Sequence, residues 1–333
     1  RKFGAGVELE SSEFLDAYGH NRVGFNIQGP LIKGKKKETA LLGFFIAGDV
    51  NYDRDGAISG IGYQKATDAT LQSLIENPLR PTGLGFGTYR NGEFVRASDL
   101  ELTKRSMNTD NYDVNLSGNI NVRTTETINL TFGGTYNISH GNAFSYSGSY
   151  FNWDKNTEYN NNTWRVFGRF TQRFPSSSES TSLIKNLYYS IQADYTRQYN
   201  TYGDPDHYEN LFDYGYLGKF SVYKTPTFQR ENVTVDGKEY TNVMVLKGWD
   251  NDTLVTWTPG NLNPLVANYT TNYFNTYAGL TEGNFENLDQ VVLGGALLNG
   301  AGPTGFYSLF QAPGTIQSGY GIDDNDQFGV NVA

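Results

Sequence analysis

Three arginines spaced four residues apart are the first candidates for chemistry in this sequence. Arg165, Arg169 and Arg173 alternate with apolar residues, so a β-strand would place all three on one face. Grouped guanidinium groups bind anionic solutes, or they pair with carboxylates on a neighbouring strand. Asp194 stands among the polar positions of the next alternating stretch. Of the two interpretations, the sequence favours the structural ion pair.

Two acidic segments offer oxygen atoms to a cation. Asn51-Tyr-Asp-Arg-Asp-Gly56 alternates oxygen side chains before a glycine, as calcium loops do, but its twelfth position is Gly62 and carries no carboxylate. We interpret it as a turn at a strand end. Gly321-Ile-Asp-Asp-Asn-Asp326 is interpreted as a solvated loop, although outer loops sometimes bind calcium. Neither segment is assigned as a metal site.

Signatures of catalysis are missing from the sequence. The chain has no Cys and three scattered His, and it lacks a Gly-Xaa-Ser-Xaa-Gly elbow, a His-Glu-Xaa-Xaa-His motif and a phosphate-binding loop. No pair of carboxylates stands out from ordinary loop charge. We therefore expect no enzyme, no catalytic residue and no cofactor. The net charge of -9 argues against nucleic acid as a partner.

Three aromatic residues are candidates for contacts with a ligand. Trp153, Tyr202 and Trp249 lie in stretches that read as loops or loop borders. Side chains of this kind stack on sugars or peptides, or they pack the loops that carry them. Both interpretations stay open, so no substrate-binding residue is assigned.

Long alternating strands must position these residues. Gly (38), Tyr (24) and Phe (21) are abundant and charged residues are only 18%, which is typical of a β protein. No run of about 18 apolar residues is present, so no transmembrane helix is expected. Apolar and polar residues alternate in eight stretches, namely 3–9, 23–31, 42–52, 111–122, 128–138, 164–173, 187–196 and 214–222.

The length of these stretches indicates a membrane-spanning sheet. Most of the strands that they indicate run roughly 10 to 13 residues, about 25 to 30 Å when tilted near 45°, whereas strands of soluble sheets cluster near 5 or 6 residues. The sequence predicts an all-β fold that is part of a large antiparallel transmembrane β-barrel, with a β-sandwich or a solenoid as the alternative. Aromatic residues stand near the ends of the stretches, as in interfacial girdles: Tyr52, Tyr112, Trp164, Phe174 and Tyr199.

The connections alternate between short and long, as they do in outer-membrane barrels. Short ones are expected at 33–38, 123–126 and 175–186, and long outer ones at 53–110, 140–161 and 201–213. Loop 53–110 is predicted to hold two short helices that serve packing, one at 69–76 and one that starts at a capping box from Ser98 to Glu101. Strand pieces are expected at 243–246 and 254–257, within one more upward strand and a second large outer loop at 248–325.

Several segments resemble TonB-dependent outer-membrane transporters, in the branch that carries a carboxypeptidase-regulatory-like domain. The resemblance is carried by Asn21-Arg-Val-Gly-Phe-Asn-Ile-Gln-Gly-Pro-Leu-Ile32 followed by the aromatic strand 41–48, and by 77–81, 93–100, 128–136 and 263–269. It implies a barrel of 22 strands that is plugged by an amino-terminal domain and energised through a TonB box. Neither plug nor box is present in these residues.

By this resemblance, residues 1–333 are a single β-barrel fragment of about ten strands, the first half of the barrel. The chain starts at Arg1 and ends in an alternating stretch at 326–333 that reads as the first half of a strand, which fits a piece of a longer protein. The expected location is the Gram-negative outer membrane, with the long loops extracellular. Expected partners are outer-membrane lipid and lipopolysaccharide, the TonB complex through the missing amino-terminal part, and a surface lipoprotein or other outer-membrane subunits.

Three functions are consistent with this fold. The first is an active importer that binds a glycan, an oligopeptide or a chelated metal on its outer loops and plug and admits it when TonB pulls the plug. The second is a surface structural or adhesion protein, or a subunit of a larger outer-membrane complex. The third is a passive porin.

Overall fold

An antiparallel sheet of eight strands is the largest element of the protein. The computed structural model describes residues 2–33, 40–85, 87–175, 187–251, 255–277, 288–303, 305, 309–316 and 319–333. Strands are numbered along the chain, and those of the sheet lie in the order β1-β2-β3-β8-β9-β10-β11-β16. They are β1 (Gly4–Ser11), β2 (His20–Lys33), β3 (Ala40–Asp53), β8 (Asn111–Arg123), β9 (Ile128–Asn142), β10 (Glu158–Phe174), β11 (Leu187–Gly203) and β16 (Tyr320–Val332).

The alternation of apolar and polar residues correctly predicts seven of these strands. Each of seven predicted stretches overlaps one strand of the sheet. In the order β1, β2, β3, β8, β9, β10 and β11, these stretches are 3–9, 23–31, 42–52, 111–122, 128–138, 164–173 and 187–196. The segment 326–333 is also a strand, but β16 already begins at Tyr320 and pairs with β11 along 13 residue pairs. The fold is therefore all-β, with a long-stranded antiparallel sheet.

All connections of the sheet fall into two sets, one at each end. Residues 124–127 join β8 to β9 at what we name the turn end, where the amide of Ile128 donates to Oγ1 of Thr125 at 3.0 Å. The predicted connections at 33–38 and 175–186 fall almost wholly outside the described residues. At the opposite end lie 12–19 and three long connections, 54–110, 143–157 and 204–319, whose described residues we name the cap.

The cap contains helices and short strand pairs. Residues 91–94, 97–99 and 153–155 are single 3-10 turns. The remaining elements are β4 (Tyr63–Ala66), α1 (Asp68–Glu76), β5 (Leu79–Pro81), β6 (Thr88–Arg90), β7 (Leu100–Thr103), β12 (Gly218–Ser221), β13 (Lys224–Val235), β14 (Lys238–Asn251), β15 (Thr256–Pro259), α2 (Pro264–Tyr277) and α3 (Leu288–Leu293). They pair as β4 with β7, β5 with β6, β12 with β15 and β13 with β14.

The hydrophobic core of the protein lies in the cap and not in the sheet. Every hydrophobic side chain that is buried among the described residues belongs to one of the three long connections. A larger cluster joins Leu79 of the first connection to Leu217 and Tyr273 of the third. A smaller cluster joins Leu74, Phe151 and the third connection's Ala312. The three connections therefore fold together as one packed body.

Helix α1 confirms one of the two helices predicted in the first long connection. Thr67 caps it by accepting a hydrogen bond from the amide of Thr70 at 3.2 Å, and Leu74 packs in the smaller core cluster. The second prediction is wrong. Residues 97–99 form a single 3-10 turn whose cap is Arg96, with its amide donating to the Asp99 carboxylate at 2.8 Å, and β7 follows at once. Ser98 is thus inside the turn and caps nothing.

The third connection departs most from the prediction. Residues 214–222 do not extend the large sheet, because only Gly218–Ser221 is a strand and it pairs with β15. Strand pieces at 243–246 and 254–257 match β14 and overlap β15, with Leu254 outside the described residues. No further upward strand follows in the described residues, and the connection runs over 204–319 instead of 248–325. Among the described residues the sheet has eight strands, fewer than the ten expected.

The hairpin of β13 and β14 projects as a separate two-stranded unit. Its turn is Asp236-Gly237, and both residues have positive φ, 52° and 75°, as a two-residue type I′ hairpin turn requires. One of its faces exposes Phe228, Met244 and Trp249, each more than half accessible. No residue of the hairpin joins either core cluster of the cap.

The helices of the cap are short. The longest, α2, has 14 residues. Across the described ranges, no helix is long and apolar enough to cross a membrane.

Gly295 holds a tight contact between the first and third connections. Its φ is +112°, and a Cβ atom there would lie 1.9 Å from Oγ1 of Thr88, which itself donates to the carbonyl of Gly294 at 2.9 Å. We expect Gly295→Ala to lower the free energy of unfolding of the cap by about 1–3 kcal/mol, through backbone strain and overpacking. Hydrogen exchange at 88–90 and 291–297 measures the change.

Gly302→Ala is the control, because a Cβ atom there meets nothing within 4 Å. Equal effects of Gly295→Ala and Gly302→Ala would contradict a specific role of the contact with Thr88.

Candidate functional site

One face of the eight-stranded sheet is accessible and apolar over most of its length, and toward the cap end it also carries Arg197, Asp324 and Asp326. Registered neighbours match across the strands, for example Gly48, Leu116, Tyr136 and Trp164 in one row. Ten side chains spread over seven strands of this face are between 37% and 58% exposed: Val23, Ile27, Ile46, Val50, Leu116, Ile120, Phe132, Val166, Ile191 and Val330. Monomeric soluble proteins rarely expose an apolar area of this extent, so this face needs a cover.

The opposite face of the sheet is polar, and hydrogen bonds join groups of its side chains across neighbouring strands. The Asp49 carboxylate accepts from the amide groups of Asn51 at 2.8 Å and Asn115 at 3.0 Å, and Asn137 donates to Asn115 at 2.5 Å. Arg22 lies 3.9 Å from both Glu8 and Asp49. Apart from Asn51, these side chains line an open cavity of about 550 Å³ in the cap-end half of the face. A hydrated polar solute fits this surface far better than an apolar one.

The three arginines singled out by their spacing have different surroundings. Arg165 forms an ion pair with Asp194 at 3.0 Å, which confirms the predicted structural pairing for this residue. Arg169 donates from Nε to the Gln192 side chain at 2.8 Å, and its guanidinium lies 5.9 Å from the ring of Phe167. For Arg173 the structure gives a backbone hydrogen bond to Thr127. The predicted ion pair therefore accounts for one arginine of the three.

The segment 51–56 is a strand end and a bend, as its lack of a twelfth-position carboxylate predicts. The carboxylate of Asp53 lies 2.6 Å from Nδ1 of His20 and accepts a hydrogen bond from it. Arg54 forms an ion pair with Glu13 at 2.9 Å. Asp55 is buried, and it accepts from the amide of Ser106 at 3.2 Å. These carboxylates thus join β2 to β3, the connection 12–19 to the connection 54–110, and the two ends of the connection 54–110 to each other.

The segment 321–326 is part of β16 and not a loop, so the prediction for it is wrong. Its neighbour β11 supplies Arg197, which donates to both carboxylate oxygens of Asp324, at 3.2 and 2.9 Å, and lies 3.9 Å from Asp326. The acidic run therefore forms a strand, with an ion pair to the next strand offsetting its charge. In the described parts of the chain, no three His, Asp or Glu side chains are placed to hold a metal ion.

Buried asparagines join the connections of the cap. Asn152 donates to the carbonyl of Ala312 at 2.8 Å and accepts from the amide of Gly314 at 2.7 Å. Asn263 accepts from His207 at 2.8 Å and donates to the carbonyls of Asp213 and Tyr216. Amide side chains suit this task because each supplies both a donor and an acceptor to buried backbone groups.

A cavity of about 140 Å³ lies beside these joints, at the start of α2. Lys155, Asp204, Asp206 and His207 line it, and Lys155 forms an ion pair with Asp206. Nearby, burial raises the pKa of Tyr208, and its hydrogen bond to Glu158 raises this pKa further. Burial also raises the pKa of Tyr269, whose hydroxyl donates to the carbonyl of Pro313 at 3.1 Å. Both phenols stay protonated, and both act as hydrogen-bond donors within the cap.

The three candidate aromatics belong to three different elements of the structure. Trp153 begins a 3-10 turn of the cap, where Lys65 lies 5.7 Å from its ring. Tyr202 is in β11 and stands directly over Gly321 of β16. Trp249 is in the projecting β14. Each of the three therefore has its own neighbours, and within the described residues no ring contact joins any two of them.

One basic residue of the polar face was missed by the sequence analysis. Arg123 ends β8, on the face that carries Arg169 and Arg173. The signal was present, because Arg123 has the same odd-numbered position as Asn115, Asn119 and Asn121 of that strand. From the sequence, Arg123 is predicted to belong to the connection 123–126. The strand reaches one residue further than the alternation alone indicates.

No protein-family model, no curated protein and no solved structure matches the chain. The function is therefore inferred from the two faces of the sheet and from the cap.

Proposed function

We propose that the chain forms wall and outer cap of an outer-membrane β-barrel, and that this barrel is an active transporter of the TonB-dependent kind. One observation carries the membrane part of the proposal. A sheet whose strands run from 8 to 17 residues has an accessible apolar face backed by a hydrogen-bonded polar face. Lipid is the cover that fits such an apolar face, and water or solute the neighbour that fits the polar one.

The two ends of the sheet support an orientation. At the turn end the described connection is the short 124–127, and at the other end the long connections build the cap. Outer-membrane barrels have short periplasmic turns and longer extracellular loops. The proposal therefore places the cap outside the cell, and the polar face toward the interior of the barrel.

The free edges of the sheet support a larger barrel. Strands β1 and β16 pair on one side only within the described residues. Unpaired backbone groups are costly in lipid, so additional strands must complete the barrel in this proposal. An active transporter, as against a porin, is proposed from the resemblance of 21–32, 41–48 and 128–136 to TonB-dependent transporters.

The first experiment tests the barrel. The native protein is extracted in detergent and run on a gel with and without boiling, and its intact mass is determined. We expect a heat-modifiable species heavier than the 37.1 kDa of these residues, and aggregation when detergent is removed. A monodisperse species of 37.1 kDa that melts cooperatively without detergent would rule out the barrel.

The second experiment tests active import. Cells that carry or lack the gene, each with and without TonB, are compared for uptake of glycans, oligopeptides and chelated metals. We expect uptake of one of these classes to require both the gene and TonB. A heat-modifiable barrel that gives no TonB-dependent uptake would favour the surface structural or adhesion function instead.

A further inference from the structure

Three arginines at the turn end of the polar face stand close together, and we name Arg123, Arg169 and Arg173 the arginine band. Arg123 shares a row with Asn129 of β9 and Thr171 of β10. Arg169 and Arg173 lie two residues on either side of Thr171, on the same face. With strands about 4.8 Å apart and about 3.3 Å per residue, the three Cα atoms lie roughly 12–13 Å from one another. Arginine side chains can reach a common ligand across such a separation.

The arginine band differs from the other arginines of the sheet. Arg165 and Arg197 each lie within 3.0 Å of an aspartate oxygen, and Arg22 lies 3.9 Å from two carboxylates. Within the described ranges, no carboxylate lies within 4.0 Å of any guanidinium of the arginine band. Arg169 and Arg173 are exposed and Arg123 is half-buried. Arg169 donates from Nε to Gln192 at 2.8 Å, and Arg123 donates to the carbonyl of Glu126 at 3.5 Å. The remaining guanidinium donors are available to a ligand.

The surroundings of the arginine band provide neutral hydrogen-bonding groups and a rigid base. Thr131 donates to Asn121 at 2.9 Å, and Asn129 donates to Thr131 at 3.3 Å, so these side chains are held on the strands between the arginines. The whole chain has a net charge of -9. Three grouped guanidinium groups that lack a carboxylate partner within the described ranges are therefore a local basic feature on an acidic protein.

We propose that the arginine band is a binding site for a small polyanion, a solute with two or more carboxylate or phosphate groups. Each guanidinium presents a planar fork of donors that matches a carboxylate or a phosphate in a bidentate way. A ligand with one anionic group can engage only one or two of the arginines, whereas a tricarboxylate can engage all three. The proposal concerns the polar face alone and holds whether or not lipid covers the other face.

The test is a calorimetric titration of the purified protein with citrate, with acetate and inorganic phosphate as comparisons, at constant ionic strength. We expect saturable binding of citrate that is at least about 10-fold tighter than binding of acetate. Arg169→Gln and Arg173→Gln should each weaken citrate binding about 10-fold or more, as expected for the loss of a charge-assisted hydrogen bond. Arg169→Lys, which keeps the charge but not the fork, should have an intermediate affinity.

Arg230→Gln is the matched control. It removes the same charge from the projecting β13, where Arg230 donates to the carbonyl of Asn242 at 3.3 Å. Absence of saturable citrate binding would overturn the proposal, and so would a weakening by Arg230→Gln equal to that by the arginine-band variants. The titration requires neither transport nor lipid. A water-soluble protein that binds citrate would contradict the transporter proposal and leave the anion site standing.

Discussion

In the proposed barrel, Ile46→Lys is expected to lower the stability of the protein in a lipid bilayer by about 2–4 kcal/mol, the cost of a cationic side chain near the midplane of a transmembrane strand. Ile46 lies at the middle of the apolar positions of β3, between Ile27 and Gly118 on the neighbouring strands, and 47% of it is exposed. Unfolding in urea from lipid vesicles measures the change.

Ala47→Lys is the matched control for this prediction. Ala47 is the next residue of the same strand, and it lines the polar cavity of about 550 Å³. A lysine there has room and water, so we expect a change within about 0.5 kcal/mol. A large loss of stability at position 46 with little loss at position 47 would indicate a lipid-facing surface. Equal losses at both positions would indicate a strand that tolerates no substitution on either face. If Ile46→Lys is as mild as Ala47→Lys, the apolar face does not meet lipid.

Leu217→Ala is expected to lower the free energy of unfolding of the cap by about 2–5 kcal/mol, as removal of a buried leucine side chain does elsewhere. Leu217 is 0% exposed in the larger core cluster. Its amide donates to the side chain of Asn299 at 2.8 Å, and its carbonyl accepts from the amide of Gly260 at 2.7 Å. The surrounding backbone is thus fixed and cannot collapse freely into the cavity that the alanine leaves.

Leu211→Ala supplies the same chemical change at a position that is 63% exposed. We expect it to alter stability by no more than about 0.5 kcal/mol. Hydrogen exchange resolves the two regions of the protein, because the cap and the sheet share no buried hydrophobic cluster. If Leu217→Ala speeds hydrogen exchange only at amides of the cap, the core of the cap is independent of the sheet. Equally faster exchange in β8 and β9 would contradict this conclusion.

The sheet was predictable from the sequence because its physical signal is local. In β8, apolar residues at Val114, Leu116 and Ile120 alternate with Asn115 and its polar neighbours, and this period of two is the period of a strand. The same alternation predicted the ion pair of Arg165 with Asp194. Here the side chains lie on adjacent strands, so their faces follow from the alternation.

The cap was not predictable in the same way because its contacts are distant in sequence. Asn152 binds the backbone of Ala312 and Gly314, and Thr88 binds that of Gly294. The residue pattern around Asn152 or Thr88 does not predict a contact with a segment so distant in sequence. For the run 321–326 a local signal gave a wrong prediction. Its four polar residues indicate a loop, but its pairing with β11 makes it a strand. The Asp236-Gly237 dipeptide, by contrast, is a local sequence signal for the hairpin of β13 and β14.

The placement of the core also bears on how the chain folds. Arg123 and Asn129 pair across a four-residue turn, whereas Gly203 pairs with Tyr320 across the whole third connection. Closing a loop costs conformational entropy that grows with its length, and pairings distant in sequence form slowly. A connection that has already condensed around Leu217 and Tyr273 behaves as a much shorter loop. We therefore expect the cap to fold early. The folded cap would then bring β16 close to the edge of β11 and speed the pairing of these two strands.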